Sequence, residues 1–327
     1  MKKLIADFTK HLTEAIAIGE KSILSTSENK IENILITGLG GSGIGGTIVS
    51  EIISGESKVP VLVNKDYFLP AFVGKNTLVI VSSYSGNTEE TLSAFKIAIE
   101  RNAKIVCISS GGKILEIAKN KKIDFIEIPS GMPPRSAFGY SFTQLFFILH
   151  FFGIIKDGFK KNIQDSIQLL DAEESNIQQE AMKIAEKMLN TMPVIYSVSG
   201  NEGVAVRFRQ QVNENSKVLC WHHVIPEMNH NELVGWKNQS GNYSVIIFRN
   251  QEDYSRSVER IEINKKVISE SCKNIIEIAA KGNSRIERVL YHIHLGDWIS
   301  VCIAELRNID AMEVKVIDFL KNELAKR

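Results

Sequence analysis

The fold is decided by Ile34-Leu35-Ile36-Thr37-Gly38-Leu39-Gly40-Gly41-Ser42-Gly43-Ile44. An apolar run of strand length stops at a glycine cluster, and a helical pattern runs on from Ile44 to Ser54. Strand, tight turn and helix in that order make one α/β unit. Similar short runs recur at 61–64, 77–82, 104–109 and 124–128, with helical stretches between several of them. They are continuously apolar rather than alternating, which predicts parallel strands covered on both faces. Gly131-Met132-Pro133-Pro134 breaks the series; an apolar helix over about 140–152 and a polar helix over 156–190 follow. The pattern then restarts at Val194-Ile195-Tyr196-Ser197-Val198-Ser199-Gly200-Asn201-Glu202-Gly203, with a strand over 193–199 and a helix over 200–215. Further strands are expected at 217–221, 243–249 and 274–279, and helices at 289–306 and 313–324. The shared device points to two copies of one unit. The expected architecture is α/β: two doubly wound, flavodoxin-like parallel-sheet domains, residues 1–155 and 156–327, with a helical C-terminus.

Composition narrows the function classes. The 327 residues carry 39 Lys+Arg against 38 Asp+Glu, a formal net charge of +1. That balance gives no reason to expect nucleic acid or an anionic membrane as partner. The most apolar run, 145–155, falls short of the roughly 20 residues a membrane span needs. The N-terminus has no apolar segment of signal-peptide length. Cys107, Cys220, Cys272 and Cys302 are scattered without a CxxC pair, so a reducing cytoplasm is the expected location.

Gly38-x-Gly40-x-x-Gly43, with Asp66 further on, matches a dinucleotide fingerprint. Its physics, backbone N–H groups and a helix dipole brought close to a phosphate, serves any phosphate. The next strand ends in Ser82-Ser83-Tyr84-Ser85-Gly86-Asn87-Thr88-Glu89-Glu90-Thr91. Ser83, Ser85 and Thr88 place three hydroxyl donors in one turn, and a dinucleotide domain needs no second phosphate cradle. A capping box of Asn87 with Glu90 is the plainer reading, but it leaves those hydroxyls unexplained.

With GLGGSGIGG and SSYSGNTEET in place, the first half resembles the sugar isomerase (SIS) domain, which binds phosphosugars. Adding MPPRSAFGY, NENSK and PEMNHNELVGW, the whole chain resembles the bifunctional phosphoglucose/phosphomannose isomerase family. The resemblance implies a cofactor-free, metal-free aldose–ketose isomerase of sugar metabolism, acting on glucose 6-phosphate and mannose 6-phosphate through an enediol. It implies a homodimer with a shared active site. Glu214 of Asn213-Glu214-Asn215 would be the catalytic base, and Arg135 would stabilise the enediolate. His230, from the neighbouring subunit, and Lys321 would assist ring opening, with Glu227 and Glu232 as possible partners of the His230 ring. Gly41, Ser42, Ser83, Ser85 and Thr88 would hold the phosphate. The family's proline-containing segment before the C-terminal lysine reads Asp310-Ala311-Met312-Glu313-Val314 here, which leaves Lys315 as an alternative to Lys321.

Rival readings make different demands. A non-catalytic phosphosugar sensor would bind without turnover, commonly with an attached DNA-binding module for which the chain has no room. A nicotinamide enzyme has no use for the hydroxyl loop. An aminosugar synthase needs an N-terminal cysteine nucleophile for glutamine use, which is not expected of a sequence opening Met1-Lys2-Lys3. His222-His223 and His292-Ile293-His294 lack zinc-site spacing and are expected to be structural.

Overall fold

The computed structural model describes residues 1–237, 239–324 and 326. The chain divides into two compact units. The N-terminal unit is Ala6–Ala172 with Gly282–Leu290; the C-terminal unit is Met1–Ile5, Glu173–Lys281 and Tyr291–Arg327.

A short helix α1 (Lys2–Ala6) precedes α2 (Phe8–Lys21). The first α/β series is β1 (Asn33–Thr37), α3 (Gly40–Ile52), β2 (Val61–Asn64), β3 (Thr77–Ser82), α4 (Glu89–Glu100), β4 (Lys104–Ser109), α5 (Gly112–Lys121) and β5 (Asp124–Glu127). All its strand pairs are parallel, in the order β2-β1-β3-β4-β5. Every residue of β3 is buried, as a strand covered on both faces requires. The order reverses between β1 and β3, and such a switch point opens a crevice at the carboxyl ends of the strands. Both glycine and hydroxyl turns leave the sheet there. Helix α6 (Phe138–Phe151) packs on α2, where the Gln144 amide donates to the Ala15 carbonyl at 2.7 Å.

The long α7 (Gly158–Met188) leads to the second series: β6 (Met192–Val198), α8 (Glu202–Ser216), β7 (Trp221–Ile225), β8 (Tyr243–Arg249), α9 (Ser255–Ile268), β9 (Ile275–Ala279), α10 (Arg285–Leu306) and α11 (Lys315–Leu324). Its strands are again all parallel, in the order β7-β6-β8-β9, which repeats the first four places of the other sheet. Gly40 (φ 54°) and Gly200 (φ 88°) mark the same left-handed step after β1 and β6.

Three elements depart from the expected pattern. Helix α3 starts at Gly40 rather than Ile44, because the glycines expected as turn form its first coil. Strand β7 lies at 221–225 rather than 217–221, since Lys217 is spent capping α8. The charged α9 was not anticipated; only Ile261, Asn264 and Ile268 on it are buried.

His292 on α10 donates its Nε2–H to the Ile278 carbonyl of β9 at 3.1 Å and sits among apolar side chains. Burial pushes its pKa down to about 4, only partly opposed by that hydrogen bond. The folded ring stays neutral where the unfolded one takes up a proton. Stability from this group is therefore complete above about pH 6.5 and lost as pH falls towards 4. The expected loss is about 3 kcal/mol. Urea unfolding at pH 7 and pH 4 measures it, with about 2 kcal/mol already lost at pH 5, and His292→Phe should flatten the dependence; an equal slope in that variant would put the effect elsewhere.

Candidate active site

Two adjacent turns in the N-terminal unit carry the residues expected to hold the phosphate. At the first, Leu39 occupies the N-cap of α3 and has no side chain that can cap. At the second, Thr88 occupies the N-cap of α4, yet its side chain makes no cap hydrogen bond. Its Oγ1 lies 3.0 Å from Ser83 Oγ instead. Asn87 forms no capping box with Glu90; its Oδ1 accepts from the Lys113 amide at 3.1 Å. The first N–H groups of a helix have no partner inside it, and here two helices begin at neighbouring strand ends without side-chain caps. That is favourable ground for an anion.

The turns are joined to each other. The Tyr84 amide donates to Ser42 Oγ at 3.1 Å, tying the glycine turn to the hydroxyl turn. Tyr84 Oη accepts from the Met132 amide at 3.0 Å, tying in the loop before Arg135. A Cβ on Gly41 would stand 3.0 Å from the Pro134 carbonyl oxygen and 3.5 Å from Arg135 Cα. Gly41, Ser42, Ser83, Thr88 and Arg135 are thus assembled in one place, with Ser42, Ser83 and Arg135 buried. Ser85 is exposed, and its Oγ accepts from the Asn87 amide at 3.3 Å.

The strand-turn-helix of the C-terminal unit matches this one, and α8 likewise starts without a side-chain cap. When Ile34 is laid on Val194, Gly43 falls on Gly203, but Ser42 falls on Glu202.

Glu214 lies in the last turn of α8, half-buried. The helix carrying it is held from below by buried polar contacts. Arg207 Nη2 meets Asp297 Oδ2 at 2.6 Å, and Gln211 Nε2 meets Asp297 Oδ1 at 2.8 Å. Asn215 Nδ2 donates to Ser300 Oγ at 2.9 Å, and Ser216 Oγ to the Ser300 carbonyl at 2.6 Å. Asp297 and Ser300 were not anticipated; a lone Asp inside the apolar stretch of α10 was the available signal.

His230 ends a short 3-10 turn (Glu227–His230), is exposed, and makes no hydrogen bond among the described residues. Neither anticipated partner holds its ring. Glu232 is taken by the Tyr196 hydroxyl and by Trp221 Nε1 at 2.6 Å, with Trp236 Nε1 donating to Tyr196 Oη at 2.8 Å. Glu227 accepts from Asn231 Nδ2 at 3.0 Å. Burial, reinforced by Glu232, raises the Tyr196 pKa well above its ordinary value, so this phenol is a donor and not a base. Lys321 and Lys315 are both exposed on α11, a helix none of whose residues is buried. Among the described residues no hydrogen bond or ion pair joins either lysine to Glu214.

The histidines set aside have structural partners: Ile278 for His292, Glu174 for His294 at 2.6 Å, and Glu202 for His222 at 3.5 Å. Among the described residues no three His, Cys, Asp or Glu side chains converge as metal ligands, and no helix is long and apolar enough to cross a membrane.

Comparison with known proteins agrees with the geometry. Residues 29–154 match the SIS domain, and residues 177–324 match the bacterial phospho-glucose isomerase C-terminal SIS domain. A bifunctional phosphoglucose/phosphomannose isomerase of Caldicellulosiruptor bescii is 38% identical over 340 positions, covering 100% of this chain and 99% of that one. A D-glucosamine-6-phosphate 4-epimerase of Sulfolobus acidocaldarius is 30% identical, covering 88% of this chain and 87% of its own. The C-terminal domain of glucosamine-fructose-6-phosphate aminotransferase from Francisella tularensis superposes with a TM-score of 0.76 at 14% identity, covering 95% of this chain and 96% of that one, and so shares the fold. Full-length identity to named members, both family matches and two SIS-type sheets place this chain in the bifunctional phosphoglucose/phosphomannose isomerase family.

Proposed function

We propose that the protein interconverts glucose 6-phosphate and mannose 6-phosphate with fructose 6-phosphate in the cytoplasm, as a homodimer and without a cofactor. The phosphate is held at Gly41, Ser42, Ser83, Ser85 and Thr88. The observation that carries this reading is the pair of helix starts without side-chain caps, joined by Ser42 and the Ser83–Thr88 hydroxyl pair.

Isomerisation then needs one base that removes the C2 proton and returns it to C1. Glu214 has that role, on a helix end anchored by Asn215 and Ser216. As the proton leaves, negative charge grows on the enediolate oxygen, and the permanently charged, buried Arg135 offsets it. Ring opening needs proton transfer at the ring oxygen and the anomeric hydroxyl; His230 and Lys321 serve there, with Lys315 the alternative lysine. An exposed His230 without a hydrogen-bond partner suits a residue that works on the substrate bound by a second subunit. The planar enediol can be reprotonated on either face after rotation about C2–C3, which accommodates both C2 epimers.

The test is incubation of the protein with fructose 6-phosphate in D2O containing EDTA, with products identified by NMR. Both aldose phosphates are expected, undiminished by chelation, with deuterium at C2. Turnover of the two within about a thousandfold (roughly 4 kcal/mol) fits one shared site; a wider gap means strict glucose specificity. Binding without either product would instead make the chain a phosphosugar sensor.

A further inference from the structure

We propose that Lys217 is a positioning residue that locks the turn bearing Glu214 to the root of the C-terminal helix, a role that rests on the isomerase reading above. Lys217 ends α8 in the left-handed conformation (φ 55°, ψ 40°). Glycine is the usual occupant there, because a Cβ is disfavoured. Lys122 adopts the same backbone at the end of α5, and among the described residues its ammonium makes no hydrogen bond, so the conformation alone decides nothing. What sets Lys217 apart is its reach.

Its Nζ donates to the Glu214 carbonyl at 2.6 Å and to the Glu313 carbonyl at 2.6 Å. The first is among the carbonyls that a helix end leaves without a partner inside the helix. The second lies two residues before α11, which bears Lys315 and Lys321. One ammonium thus holds the main chain at the base and the main chain at the start of the lysine helix. Arg307 adds a second cation, donating to the Ser216 carbonyl at 2.7 Å and the Lys217 carbonyl at 3.3 Å. Both charges complement the negative end of α8. The lock matters because α11 buries no side chain of its own, so apolar packing does little to fix its origin. Proton transfer is sensitive to placement: a shift of about 1 Å can cost on the order of a hundredfold in rate.

Lys217→Gly separates this role from a merely structural one, since it removes the ammonium while relieving the left-handed backbone. In the full chain with fructose 6-phosphate, kcat should fall about 10- to 100-fold with KM changed less than about threefold. The unfolding midpoint should not drop, and Lys217→Arg should recover much of the lost rate. Amide hydrogen exchange should quicken both at 212–216 and at 314–320. Unchanged kcat in Lys217→Gly, or unchanged exchange at 314–320, overturns the proposal while leaving the isomerase reading intact. If the unaltered protein shows no turnover, it is the isomerase reading that falls, and the exchange comparison alone then decides whether the lock exists.

Discussion

Glu214→Gln is expected to lower kcat for fructose 6-phosphate about a thousandfold, with KM within about threefold of the unaltered value. Glutamine keeps the length and hydrogen-bonding capacity of the side chain and removes only its basicity. The helix should not move, because its anchors, Arg207 and Gln211 on Asp297 and Asn215 on Ser300, are untouched. Exchange of the C1 proton of fructose 6-phosphate with solvent should slow in parallel, since one carboxylate performs both events. Near-normal turnover in this variant would assign the base to another residue.

The second large effect is on stability. A Cβ at Gly43 would stand 2.2 Å from the Gly38 carbonyl oxygen and 2.8 Å from the carbon behind it. The obstacle is main chain, which cannot swing aside as a side chain can. Gly38 is equally confined, 2.4 Å from the Ser82 carbonyl oxygen at its own Cβ position. Gly43→Ala should therefore cost about 3 kcal/mol, the upper end of what overpacking exacts, and raise KM by spreading the glycine turn. Gly74→Ala, whose Cβ would meet nothing within 4 Å, is the control. Equal urea midpoints for the two variants would mean that the close approach at Gly43 is not real.

Much of this molecule was legible before any coordinates. Strands at 77–82, 104–109 and 243–249 fall on the expected residues, because buried parallel strands write themselves as unbroken apolar runs; the edge strand at 61–64 does so too, although only its Asn64 is buried. The edge strand β7 was displaced for the same reason in reverse: Trp221-His222-His223 carries no such run. The cradle residues were readable because they are local, two short turns at strand ends. The contacts that hold α8 were not, since Arg207 and Asp297, or Lys217 and Glu313, lie far apart in the chain and meet only through the fold. For His230 the sequence could not choose between Glu227 and Glu232; Glu232 instead pairs with an indole and a phenol, and Glu227 with the Asn231 amide.

The repeated strand order carries a history. Two sheets of one connectivity, each opening with a left-handed glycine, are what tandem copying of an ancestral half leaves behind. The halves then part at one matched position: where the first carries Ser42, its counterpart carries Glu202.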